Sequence, residues 1–150
     1  AGESVEILVT VINNGSSTAD PFWVDLYLNP SAPPTTVNQP WDQRCGMRPC
    51  FGIAWPVTTR LAPGQSITLS SRAASSDYAY WLGWFSSGTT DLYAYVDSWN
   101  SSSAIGAVDE SDETNNRAEL HGLHVSGGNP SLATEDVAPI LHDRPDLLNQ

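Results

Sequence analysis

Val5-Glu6-Ile7-Leu8-Val9-Thr10-Val11-Ile12-Asn13-Asn14-Gly15 is the stretch on which the fold turns. Its odd positions, Val5, Ile7, Val9 and Val11, are all β-branched aliphatics, and they alternate with Glu6, Leu8, Thr10 and Ile12. A period of two places one set on one face of a β-strand and the other set on the opposite face. Asn13-Asn14-Gly15 then supplies residues that tolerate the backbone of a tight turn. Leu8 and Ile12 leave the second face partly apolar too, which predicts that another part of the chain covers it.

The same period recurs outward from this segment. Phe22, Val24, Leu26 and Leu28 alternate with Trp23, Asp25 and Tyr27, between Pro21 and Asn29-Pro30. Phe51 to Thr59 is a weaker strand, and Pro56 within it predicts an edge or a bulge because proline cannot donate to a ladder. Leu61-Ala62-Pro63-Gly64 reads as a turn and leads into a short strand around Ile67 and Leu69. Leu92, Ala94 and Val96 alternate with Tyr93, Tyr95 and Asp97. A last strand carries Ala118, Leu120, Leu123 and Val125, with Gly122 shifting the phase as a β-bulge does. No segment reads as a convincing helix; Ala73 to Phe85 fits one helical turn or a strand. About seven strands at turn-punctuated spacing predict an all-β, immunoglobulin-like antiparallel sandwich of two sheets. Residues 1–126 are expected to form it, and residues 127–150, with Pro130, Pro139 and Pro145, to be a linker or the start of a neighbouring segment.

Composition narrows the classes of function. The 150 residues carry 17 Asp plus Glu against six Arg and no Lys, a net charge of −11. Nucleic acid demands a basic face and is excluded as a partner. No apolar run approaches the roughly 20 residues of a membrane helix, so no membrane insertion is expected. Cys45 and Cys50 flank Gly46-Met47-Arg48-Pro49, a spacing suited to a small disulfide-closed loop; half of a zinc site is the rival reading, for which no second Cys pair exists. A disulfide implies an oxidising compartment, hence an extracellular or cell-surface setting. The start at Ala1 suggests a piece excised from a longer secreted protein.

Five segments together resemble a known family: Val9-Thr10-Val11-Ile12-Asn13-Asn14-Gly15, Ala19 to Leu28, Leu61-Ala62-Pro63-Gly64-Gln65-Ser66, Tyr95-Val96-Asp97, and Glu110-Ser111-Asp112-Glu113-Thr114-Asn115-Asn116. In this order, from about Val5 to Val125, they are similar to the CARDB-like domain, named for cell adhesion-related domains of bacteria. The resemblance implies an immunoglobulin-like sandwich serving as an adhesion, interaction or spacer unit within a larger surface or secreted protein. It also implies no catalytic activity, neighbouring domains in a longer chain, and a protein or polysaccharide partner. Asn29 to Cys50 and Ala73 to Thr90 depart from the family pattern as insertions.

Three clusters are candidate sites. Asp109, Glu110, Asp112 and Glu113 fall within five positions. With Asn115 and Asp97 they would offer oxygens to Ca²⁺, which takes 6–8 such ligands; the alternative is a solvated acidic turn. The spacing fails the EF-hand pattern, since Thr114 and Leu120 stand where Gly and Glu are required. No cofactor is required on either reading. Tyr78, Tyr80, Trp81 and Trp84 would form a stacking platform for sugar rings, the basis of an alternative function as a carbohydrate-binding module. Alternatively their insertion folds over the outward Trp23, Tyr27, Tyr93 and Tyr95 and builds a second small core. His121 and His124 would share a side if Gly122 is a bulge, and such pairs bind Zn²⁺ or Cu²⁺, although no third ligand lies on the element. His142, in the terminal segment, adds no ligand. Sequence signatures of a Ser-nucleophile elbow, a zinc protease or a phosphate-cradling loop do not occur, and the crowded acidic turn is unlike the paired carboxylates of a glycosidase cleft.

Overall fold

The computed structural model describes residues 1–45, 50–130 and 143–147. Seven strands form among them: β1 (Leu8–Ile12), β2 (Phe22–Leu28), β3 (Phe51–Val57), β4 (Ser66–Ser70), β5 (Ala79–Tyr80), β6 (Gly88–Val96) and β7 (Arg117–Val125). Two single 3-10 turns, Trp41–Gln43 and Ser71–Ala73, lie between the strands. β1 pairs with β4 in a two-stranded sheet, and the other five form a sheet in the order β5-β3-β2-β6-β7. Every pairing is antiparallel. The chain is therefore the expected all-β sandwich, with one sheet much narrower than the other.

β2 shows how alternation builds both layers. Phe22, Val24 and Leu26 point toward the small sheet and pack with Val11, Ile53, Trp55, Val57, Leu61 and Leu69 as the inter-sheet core. Each such side chain contributes about 1.5–3 kcal/mol of burial free energy. Pro56 is opposite Trp23. Two residues earlier, the Ala54 N–H donates outward to the Tyr78 carbonyl. The missing N–H of Pro56 therefore lies on that outer margin, past the end of the two-residue β5, where no ladder bond is lost. The bulge forms as expected. Thr90 faces Leu123 and Leu92 faces Leu120, so His121 and Gly122 together oppose Asp91. Gly122 has φ +66° and donates its N–H to Asp91 Oδ1 at 2.8 Å.

Two expectations about faces need correction. Leu8 and Ile12 are 59% and 51% exposed, so no described residue covers the outer face of the small sheet. On that face they stand beside Ser70, Thr68 and Ser66 of β4, and three residues of polar partner dilute the apolar surface enough to leave it solvated. Trp23, Tyr27, Tyr93 and Tyr95 do project from the outer face of the large sheet, yet all are buried. The second core is real, but its roof is mainly the Asn29–Cys50 insertion, through Val37, Trp41 and Cys50, joined by Leu147. Tyr78 and Tyr80 of the aromatic insertion pack only at its margin.

Candidate interaction surfaces

The acidic segment folds as a chain of local turns. Asp112 Oδ1 accepts from the N–H and the hydroxyl of Thr114 at 2.9 and 2.5 Å. Glu113 accepts from the Glu110 N–H at 3.2 Å and from the Asn116 side-chain amide at 3.3 Å. Asp97 is buried at the end of β6 and turned inward. Its two oxygens accept the N–H groups of Ala107 and Val108 at 2.8 and 2.9 Å. Burial pushes its carboxyl up to about 6, against those two hydrogen bonds. Gly106 makes this contact feasible, because a Cβ there would overlap the Asp97 carboxylate. Among the described residues, no three His, Cys, Asp or Glu side chains gather into a group suited to a metal ion. Asp109, Glu110, Asp112 and Asn115 instead lie along one groove.

The aromatic insertion divides. Trp81 lies against Phe51 and Phe85, with ring centroids 6.2 and 4.9 Å away, and Tyr80 stacks on Phe51 at 5.2 Å. Tyr78 meets Trp23 edge-on at 4.8 Å. Three of the four residues expected to form a platform are thus committed to packing with other rings, and Trp84 is half-buried. Cys45 and Cys50 are joined by a disulfide. Across the bulge, the alternation puts His121 and His124 on one face. His121 lies between Asp91 and Glu119, at 3.5 and 3.4 Å, and those carboxylates, Glu119 foremost, raise its pKa. His142 falls outside the described residues.

Sequence reasoning passed over a buried carboxylate with four hydrogen bonds. Asp25, fully buried in the aromatic layer, receives the Arg144 guanidinium in a two-pronged pair at 2.6 and 2.9 Å. It also accepts the Ser98 hydroxyl at 2.7 Å and the Trp41 N–H at 2.9 Å. Arg144 lies 5.6 Å from the Trp23 ring centroid and 5.9 Å from that of Trp99. Next to it, the Pro145 carbonyl accepts the Trp23 indole N–H at 3.0 Å. A carboxylate between two large aromatics on one strand face was the available signal: a buried charge requires a partner.

A groove of about 470 Å³ runs beside β1. All of Val9 to Ile12 line it, so it borders the strand's edge rather than one of its faces. Ala94, Val96 and Ala118 of the large sheet line it from across the sandwich, with the acidic segment at one side. The sheets differ in width, and this groove is where the narrow one stops short of β7.

A family model described as CARDB matches residues 1–120. The chain belongs to the CARDB family. No curated protein and no solved structure matches it. CARDB membership makes it an adhesion-related bacterial β-domain, and the matched span holds β1 to β6 and the first four residues of β7. Arg144, Pro145 and Leu147 lie beyond the matched residues, yet they close the second core of this CARDB domain.

Proposed function

We propose that this CARDB domain is a non-catalytic contact module of a larger extracellular bacterial protein, meeting a protein or polysaccharide partner through its open side. The observation that carries this reading is the asymmetry of the two faces. The outer face of the large sheet is roofed over, whereas the side between β1 and β7 is left as an open groove with apolar walls and an acidic margin. Grooves of that kind on a rigid scaffold are where contacts are made. The Cys45–Cys50 disulfide is compatible with an oxidising setting. Beads carrying the domain should be retained on members of a panel of bacterial surface proteins and polysaccharides, leaving them chemically unchanged by mass spectrometry. Turnover of a panel member, or retention on none, would overturn the reading.

Carbohydrate binding is the second reading, and Trp84 favours it, since it is only half-buried and an aromatic side chain that keeps accessible surface can stack on a pyranose ring. A glycan array separates the two: binding abolished by Trp84→Ala supports the sugar reading, and silence across all glycans removes it.

A further inference from the structure

The Asp25 site divides into a host and a guest. Its host groups come from three parts of the sandwich: Asp25 stands on β2, Ser98 follows β6, and Trp41 belongs to the insertion between β2 and β3. The Ser98 hydroxyl donates to Oδ1 and the Trp41 N–H to Oδ2, so the sandwich itself holds each oxygen with one donor. A carboxylate offers about four acceptor positions. The guanidinium takes one more on each oxygen, Nη1 on Oδ1 at 2.6 Å and Nη2 on Oδ2 at 2.9 Å. The rings of Trp23 and Trp99 lie within 5.9 Å of its carbon.

The guest is a short segment read at three points. Arg144 supplies the charge. Pro145 biases the residue before it toward extended backbone, and its missing N–H leaves no donor to satisfy against the sheet. The Pro145 carbonyl accepts the Trp23 indole N–H, and Leu147, 7% exposed, enters the cluster that holds Trp23, Tyr27 and Tyr95. Arginine fits where lysine does not, because a planar fork matches both oxygens and lies against ring faces, whereas an ammonium is a point charge. Water does not blunt that choice. The side chains of Arg144 and Asp25 are 7% and 0% exposed, whereas those of Arg60 and Arg72, in surface pairs, are 70% and 61% exposed.

We infer that the outer face of the large sheet is a peptide-binding site selective for arginine, recognising the pattern Arg-Pro-x-Leu, and that residues 144–147 are its ligand, supplied by the chain itself. The sandwich builds the site and the segment joins it as a separate piece. The same peptide supplied from solution therefore takes the same place once the chain's own arginine is removed. Docking also sets the course of the chain, which returns from the end of β7 to the face of β2. This face is the roofed one, so the inference does not rest on the contact-module reading.

The test uses a capped, fluorescent peptide Asp-Arg-Pro-Asp-Leu, the sequence of residues 143–147, and its counterpart with lysine in place of arginine. Binding to the full chain carrying Arg144→Ala is followed by anisotropy at up to about 1 mM, a typical effective concentration for a tethered ligand. The arginine peptide should bind saturably, and about tenfold more tightly than the lysine peptide. The native chain, whose own segment fills the site, should bind it about tenfold more weakly than the variant does. Adding Asp25→Asn to Arg144→Ala leaves no charge stranded and should erase the preference for arginine. Should Arg144→Ala unfold the chain, the arginine peptide should restore the native tryptophan emission and the lysine peptide should not. Neither binding nor refolding by the arginine peptide would overturn the inference. So would equal effects of the two peptides, equal binding by the native chain, or a preference for arginine that survives Asp25→Asn.

Discussion

Asp25 places a carboxylate inside a layer built from Trp23, Tyr27, Trp41, Tyr93 and Tyr95, where an unpaired charge would cost several kcal/mol. Four hydrogen bonds, two of them from Arg144, offset that cost. Removing one member of a buried pair strands the other, so Arg144→Ala is expected to lower stability by about 3–5 kcal/mol in urea denaturation. A loss no larger than that of an exposed arginine would mean the pair contributes little. Asp97 acts in the opposite sense. Its carboxyl is raised from 3.8 to about 6 by burial, so the folded state favours the protonated form. The associated stabilisation is complete below 3.8 and disappears as pH rises through about 6, on the order of 3 kcal/mol. Compared with the native chain, Asp97→Asn should show a shallower decline of stability between pH 4 and pH 6.5; an unchanged slope contradicts this. Of these two residues, Asp97 drew attention in the sequence as the end of a family-like segment and as an oxygen donor beside the acidic run, and its role is to hold backbone rather than to face solvent. Asp25 was legible in principle from its aromatic neighbours, but its partner is 119 residues away, a distance no local pattern reports.

Among the elements, the strands were readable because each carries its own period. β2 and β6 alternate cleanly, and the Gly122 bulge follows from a single phase shift. What local pattern does not contain is the identity of the cover over a face. Both insertions were visible as long irregular segments, and the choice between them was decided by shape. Gly52 on β3 leaves room for the Trp41 indole, whose ring a Cβ at that position would overlap. Gly52→Ala is therefore expected to force Trp41 out of its place and cost about 1–3 kcal/mol, with a red shift of tryptophan emission as a second readout. The roof is also tied by the Cys45–Cys50 bond, five residues apart in sequence. Closing so short a loop contributes about 2 kcal/mol by chain entropy, so reduction should lower the unfolding free energy by about that amount. No change on reduction would mean that the roof is held by packing alone.

At the scale of the whole molecule, the fold is a sandwich with one sealed face and one open side. Sealing draws on residues 143–147 as well as on the insertion, so a chain ending at Ser126 should lose both the Asp25 counter-ion and the Leu147 contact. Its expected deficit is at least the 3–5 kcal/mol assigned to Arg144, measured against the 150-residue chain by urea denaturation. Equal stability of the two would show that the segment adds nothing. The openness on the other side has a cause in strand count, because two strands cannot span five. Residue-resolved amide hydrogen exchange on the full chain tests this account most directly. It predicts slow exchange through β2 and β6, and an alternating pattern along β1 with Val9 and Val11 protected while Leu8, Thr10 and Ile12 exchange quickly. Uniform protection along β1, or rapid exchange throughout Trp23 to Tyr27, would contradict it.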